Sequence, residues 1–95
     1  MGYDLSLEMS ISRAEFLRLL PSAVGVAAIQ EADGVFSEGD GERRWTLRLI
    51  PLPDRCLGSV VLPRHRVDLH FRGYPEEERE AFMARFHRGF QRGGG

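Results

Sequence analysis

The sequence predicts an α+β domain in which an antiparallel sheet carries two helices on one of its faces. Two segments have helical amphipathic patterns, and several others alternate apolar with polar residues. The predicted order is strand, helix, three or four strands, helix, which gives a sheet of about four to five strands. Half-buried strands need cover on one face, and the two helices are the only cover that this chain offers. We therefore expect a two-layer sandwich.

The first predicted element is a strand over residues 3–11. Apolar side chains occupy every second position from Tyr3 to Ile11, and Asp4 and Glu8 are among the polar residues between them. This period of two indicates a strand with one buried face and one face in water.

A helix follows directly. Ser12 and Glu15 form a capping box, in which the serine side chain accepts hydrogen bonds from free backbone N–H groups. Pro21 lacks an N–H group and predicts a break or a new turn, and Gly25 is a candidate C-terminal cap. The residues of the apolar stripe are Phe16, Leu17, Leu20, Ala23 and Val24.

Residues 26–72 are predicted as strands and turns. Asp-Gly pairs at 33–34 and 40–41 predict tight turns. The segment 26–38 holds one strand or two. If this segment forms two strands, the element order of the chain equals that of one repeat of the TATA-box-binding-protein fold. If it forms one strand, the last five elements follow the order of the double-stranded-RNA-binding domain without its start. Both are similarities of element order alone.

Three prolines interrupt the later strands. Pro51 and Pro53 are predicted to end the strand that begins near residue 43, or to confine it to an edge of the sheet. A loop over residues 54–58 is expected to hold Cys56 half-buried. Residues 59–74 form either one strand broken at Pro63 or two strands.

The last helix is predicted over residues 75–92, with Pro75 at its first position. Arg79 is expected at the rim of its apolar stripe. That stripe consists of Phe82, Met83, Phe86 and Phe90. Residues 93–95 are predicted to be a flexible tail, so residues 1–95 form one domain with no linker.

Composition excludes several kinds of chemistry. All thirteen basic residues are arginine, and lysine and asparagine are absent, which we attribute to a GC-rich, bacterial genome. Without lysine there is no P-loop and no Schiff base. The single cysteine cannot form an internal disulfide. No membrane span or signal peptide is visible, so we expect a cytoplasmic protein without a membrane partner.

The candidate polar cluster lies in the segment "RHRVDLHFR". Alternation places the members of this cluster on one face of a strand and His65 on the other. Asp68 and His70 project side by side, a spacing that can hold a metal ion. Asp4 or Glu8 could supply a third metal ligand if the first strand lies alongside. A solvent-exposed face of paired charges is the favoured interpretation. No metal or other cofactor is predicted. The members are Arg66, Asp68, His70 and Arg72.

A second set of candidates, for binding anions or nucleic acid, is Arg85, Arg88 and Arg92. The same helix begins with several glutamates. Acids near the start of a helix and bases near its end are what the helix dipole favours, so this arrangement needs no ligand. A net charge of −1 also disfavours a nucleic-acid partner.

These observations favour a non-enzymatic interaction or assembly module that self-associates as a homodimer or binds another protein. The predicted helix-free face is self-complementary in charge, and the sheet has edge strands that small proteins pair or guard. The first alternative is a small-molecule or metal-dependent enzyme that uses Asp68 and His70 with the flanking arginines. The second is an RNA- or DNA-binding domain that uses the C-terminal arginines.

Overall fold

Among the described residues, five strands and two helices follow one another in the order β-α-β-β-β-β-α, which confirms the predicted α+β sandwich. The structure, a computed structural model, describes residues 2–25 and 29–91. The elements are β1 (Gly2–Met9), α1 (Arg13–Val24), β2 (Gln30–Ala32), β3 (Val35–Gly39), β4 (Arg44–Leu57), β5 (Val60–Arg72) and α2 (Glu76–Phe90). Within the described residues no helix is long and apolar enough to cross a membrane.

All strand pairs in the sheet are antiparallel, in the order β1-β5-β4-β3-β2. The longest strands, β4 and β5, therefore lie in the middle, and β1 and β2 form the edges. Both helices cover the face that carries Trp45, Leu47 and Leu69. The opposite face has no helix and is referred to below as the open face.

One hydrophobic core fills the space between the helices and the sheet. Phe16 of α1 stacks on Phe90 of α2 with ring centroids 4.8 Å apart, and both rings are buried. Phe71 of β5 meets Phe82 edge to face at 5.0 Å. The predicted stripes of both helices therefore face the core, and the alternation along the strands gave the correct buried face.

Helix α1 begins and ends as the sequence predicts but does not break at Pro21. The Ser12 hydroxyl accepts a hydrogen bond from the backbone N–H of Glu15, and Gly25 caps the C-terminus with a φ of 74°. The helix runs through Pro21 to Val24. Burial of Ala23 and Val24 after the proline holds this last turn against the core, which outweighs the lost hydrogen bond.

The two helices lie close together at Gly89. A Cβ atom at this position would lie 2.4 Å from Cα and 2.5 Å from Cβ of Ala23. Real Cβ atoms do not come this close to backbone atoms, so any side chain here forces α1 and α2 apart.

We therefore expect Gly89→Ala to lower the free energy of unfolding by about 1–3 kcal/mol, the usual cost of overpacking. Urea denaturation followed by circular dichroism measures this. Gly41→Ala is the matched control, because a Cβ there meets nothing within 4 Å. Equal stability of both variants would contradict the close helix contact.

The segment after α1 contains two strands, β2 and β3, joined by a two-residue turn. Asp33 and Gly34 have φ values of 54° and 80°, as the central residues of a type I′ turn require. Asp40 then organises the turn into β4, since its Oδ1 accepts hydrogen bonds from the N–H groups of Glu42 and Arg43. The part of the predicted strand at residues 26–28 lies outside the described residues.

The predictions for β4 and β5 need two corrections, and one open alternative is decided. β4 does not stop at Pro51 or Pro53 but continues to Leu57, so the alternative that these prolines lie at an edge of the sheet is the correct one. β3 pairs only with residues 44–48 of β4, so both prolines lie where β4 has β5 as its single neighbour, and that local edge tolerates them. The predicted loop at 54–58 is instead strand as far as Leu57.

β5 is one strand without a break at Pro63. The register between β4 and β5 shifts between Leu52 and Arg55, where two residues of β4 face Pro63 alone. This β-bulge accommodates Pro53 of β4 and Pro63 of β5.

Helix α2 starts one residue later than predicted. Pro75 is the N-cap and Glu76 the first helical residue. The helix ends at Phe90, and the predicted Arg92 lies outside the described residues. Arg79 lies at the rim as predicted, with its guanidinium 3.6 Å from the centroid of the Tyr3 ring.

Candidate functional site

The open face brings the predicted polar cluster together with β1 and β4. Residues paired across neighbouring strands form rows on this face, and the two central rows are Ser6–Asp68–Arg48–Val35 and Asp4–His70–Thr46–Ser37. All of these residues except Ser37 line a shallow depression of about 290 Å³. β1 lies beside β5, so Asp4 is brought next to His70, as a site that includes Asp4 would require.

Asp68 is bound on both sides by open-face neighbours. The Ser6 hydroxyl donates a 2.6 Å hydrogen bond to its Oδ1, and the Arg66 guanidinium donates from Nε and Nη2 at 3.0 and 3.1 Å. The Ser6 bond first, and Arg66 second, hold the pKa of the Asp68 carboxyl below its ordinary value, and Arg48 acts in the same direction. Asp68 is therefore an ionised acceptor at neutral pH.

His70 contacts β1 and not Asp68. Its Nδ1 lies 2.6 Å from Oδ1 of Asp4, and since an ionised carboxylate only accepts hydrogen bonds, Nδ1 carries the proton. The His70 side chain is 46% exposed. Its ring lies against Gly2, where a Cβ atom would be only 2.7 Å from Cε1.

The acids of this region follow the same pattern of local pairing. Arg64 donates to Glu8, so each acid of β1 on the open face has a basic partner on β5. Arg72 has no ion pair with a described residue. His65 lies on the helix side as predicted, buried, with Nδ1 2.8 Å from the Ile11 carbonyl oxygen.

Few side chains of the open face are placed to bind a metal ion or to transfer a proton between them. Among the described residues no set of three His, Cys, Asp or Glu side chains is placed to hold a metal ion. Asp68 and His70 project side by side but bind different partners, so they do not form an acid–base couple with each other. The open face is thus a solvent-exposed surface on which the acids of β1 and β5 are paired with neighbouring basic residues.

The Asp68 network predicts a pH-dependent stability. A carboxyl whose pKa is lowered in the folded state stabilises it fully above the unfolded value, near 3.8, and this contribution disappears as the pH falls through the folded value. We expect Asp68→Asn to lower stability at pH 7 by less than about 1 kcal/mol, since the group is partly exposed.

Urea denaturation at pH 7 and below pH 3.8 tests this expectation. The difference between wild type and Asp68→Asn should shrink on acidification. Asp54→Asn is the control, because Asp54 is exposed and forms no ion pair with any described residue. A difference that stays constant with pH would contradict the assignment of the network.

The arginines near the end of α2 are only partly available to bind an anion or nucleic acid. Arg85 donates from Nε to the backbone carbonyl oxygen of Ser22, in the last turn of α1. There it satisfies an acceptor that the helix leaves open and complements the negative end of the helix dipole. Arg88 is exposed beside it, and Arg92 lies outside the described residues.

The structure also contains a surface that the sequence prediction missed. The outer halves of β4 and β5 form a two-stranded hairpin, residues 52–63, which we call the arm. Every residue from 53 to 61 is exposed. The exposed fractions of its apolar side chains are 53% for Leu57, 52% for Val60 and 57% for Val61.

The bulge determines which arm side chains share a face. After the shift, Arg55 pairs with Leu62 and Leu57 with Val60, so these four residues lie on the same side as the open face. Cys56 and Val61 lie on the other side. Gly58 starts the turn with a φ of 61°, as a two-residue type II′ turn requires. The Gly58-Ser59 pair between two apolar runs was the signal available in the sequence.

No known protein family, curated protein or solved structure matches the chain. The features of the described residues that bear on function are a charged open face, an exposed apolar arm, and helices packed on one side only.

Proposed function

We propose that this chain is a non-enzymatic interaction module that assembles as a homodimer. The observation that carries the proposal is the arm. Of the four large hydrophobic side chains exposed among the described residues, Leu57, Val60 and Val61 belong to this one hairpin. Leu57 and Val60 are cross-strand neighbours on one face of this hairpin, and exposed apolar surface of this kind is typical of protein interaction sites.

The geometry of the arm supports the same proposal. A two-stranded hairpin without cover on either face is only marginally stable in water, and three strands or a packed face are normally needed. The arm extends beyond β3 and shares no core with the helices. A partner that covers one face of the arm would remove Leu57 and Val60 from water. This burial would stabilise the complex by about 25 cal/mol per Å² of apolar area.

The other surfaces support association less well. On the open face, Asp68 is hydrogen-bonded to Ser6 and Arg66, and burying such a network removes charges from water at a cost. The β1 edge carries Asp4 and Glu8, charged residues of the kind that guard edges against pairing. We therefore place the contact on the arm.

Exchange of labelled chains tests the proposal. Cys56 is the only cysteine, is exposed, and lies on the side of the arm away from Leu57 and Val60, so dyes can be attached without substitution. Mixing donor-labelled and acceptor-labelled protein at micromolar concentration should give energy transfer, and excess unlabelled protein should abolish it. Absence of transfer at these concentrations would overturn the proposal.

A further inference from the structure

A second apolar surface lies far from the arm, on the helix side. Here α1 and the β2–β3 hairpin enclose a depression of about 310 Å³. Its lining is apolar except for one carboxylate. The lining residues are Leu17, Leu20, Pro21, Ile29, Glu31 and Phe36, and we call this depression the groove.

The arm cannot fill the groove of its own chain. Phe36, in the groove, pairs with Leu47 of β4, and Leu57 lies ten residues further along the same strand. At about 3.3 Å per residue this is a separation of roughly 30 Å. Because β4 and β5 remain paired to the turn, the arm cannot bend back over that distance.

The charges of the two surfaces are complementary. Arg55 is the basic residue on the arm face that carries Leu57 and Val60, and Glu31 is the acidic residue of the groove. Neither forms a salt bridge or side-chain hydrogen bond with another described residue. Arg55, beside Leu57 and Val60 on the arm, is thus complementary in charge to Glu31 in the apolar groove.

Resting on the homodimer proposed above, we infer that each arm docks in the groove of a second copy of the chain. Leu57 and Val60 enter the groove, and Arg55 pairs with Glu31 of the other protomer. Reciprocal exchange uses both arms and both grooves and closes after two copies. A one-way contact would instead produce open chains or rings of more than two copies.

Charge reversal tests this pairing in the full-length protein, with dimer dissociation followed by light scattering. R55E and E31R should each weaken the dimer about tenfold or more, since every dimer holds two like-charge contacts in place of two attractive ones. The double variant R55E/E31R should restore dimerisation to within a few-fold of wild type.

Mixing the two single variants gives the sharpest result. In a heterodimer of R55E with E31R, the new glutamate faces the new arginine at one contact, and the native arginine faces the native glutamate at the other. Each variant alone should be mainly monomeric near the wild-type dissociation constant, whereas the equimolar mixture should dimerise.

R72E is the control, because Arg72 lies on the open face and forms no ion pair with a described residue. It should leave the dimer unchanged. A wild-type dimer that R72E weakens but R55E and E31R do not would overturn the arm-in-groove contact and keep the homodimer. A monomeric wild type would overturn the homodimer itself.

Discussion

Replacing Leu57 and Val60 together with serine is expected to convert the proposed dimer to monomer while leaving the fold intact. Burial of one aliphatic side chain contributes about 1.5–3 kcal/mol, and two-fold symmetry counts each substitution twice. Because each side chain is only about half exposed in the single chain, roughly half of this value, about 3–6 kcal/mol in total, is lost. The dimer dissociation constant should therefore rise on the order of 1,000-fold, which corresponds to about 4 kcal/mol. Both side chains are about half exposed in one chain and belong to no core cluster, so monomer stability should not fall.

Val61→Ser is the matched control. Val61 is as exposed as Leu57 and lies on the same arm, but its side chain is on the opposite side of the hairpin. Sedimentation velocity should show a dimer for Val61→Ser and a monomer for the double variant. An equal loss of dimer in both would indicate non-specific apolar contact in place of a defined docking face.

The second large effect is expected in the core, at Phe16. Its ring is fully buried and stacks on Phe90, so it joins the first helix to the last. Truncation of a buried phenylalanine to alanine costs about 3–5 kcal/mol, a large part of the 5–15 kcal/mol that stabilises a typical domain. Phe16→Ala should therefore be close to unfolding at room temperature.

Dimerisation stabilises the folded state by mass action, so this measurement is best made in the monomeric background L57S/V60S. Fluorescence of Trp45, the single tryptophan, reports unfolding in urea because its side chain is buried. Arg18→Ala, on the exposed side of the same helix, should change stability by no more than about 0.5 kcal/mol. A loss below about 1 kcal/mol for Phe16→Ala would contradict the described packing of α1 on α2.

Local patterns were sufficient for the layers and faces of this fold. Alternation from Tyr3 to Ile11 gave the buried side of β1, and the cap at Ser12 gave the start of α1, since both depend on residues close in sequence. Alternation along β5 correctly placed His65 and His70 on opposite faces of the sheet. These features need no knowledge of which strands are neighbours.

The errors arose where a residue's role depends on distant parts of the chain. Pro51 and Pro53 stop a strand only when it has a partner on both sides, and the sequence does not reveal that β3 ends before reaching them. Pro21 is retained in a helix because residues beyond it enter the core. Tertiary packing overrides the local rule in both cases.

The candidate site was predictable in its members but not in its partners. Asp68 and His70 do lie side by side, yet each binds a residue of β1, about sixty positions away in sequence. The arm had a local signal in Gly58-Ser59. The groove had none, because α1, β2 and β3 create it only when they pack.

Sedimentation equilibrium of the wild-type chain between about 1 and 50 μM, near 0.15 M salt, tests the central claim most directly. Self-association as a homodimer predicts a mass that approaches twice the 10.8 kDa of the chain and falls toward the monomer on dilution. A constant mass of 10.8 kDa across this range would contradict the claim, and so would a mass that keeps growing beyond the dimer.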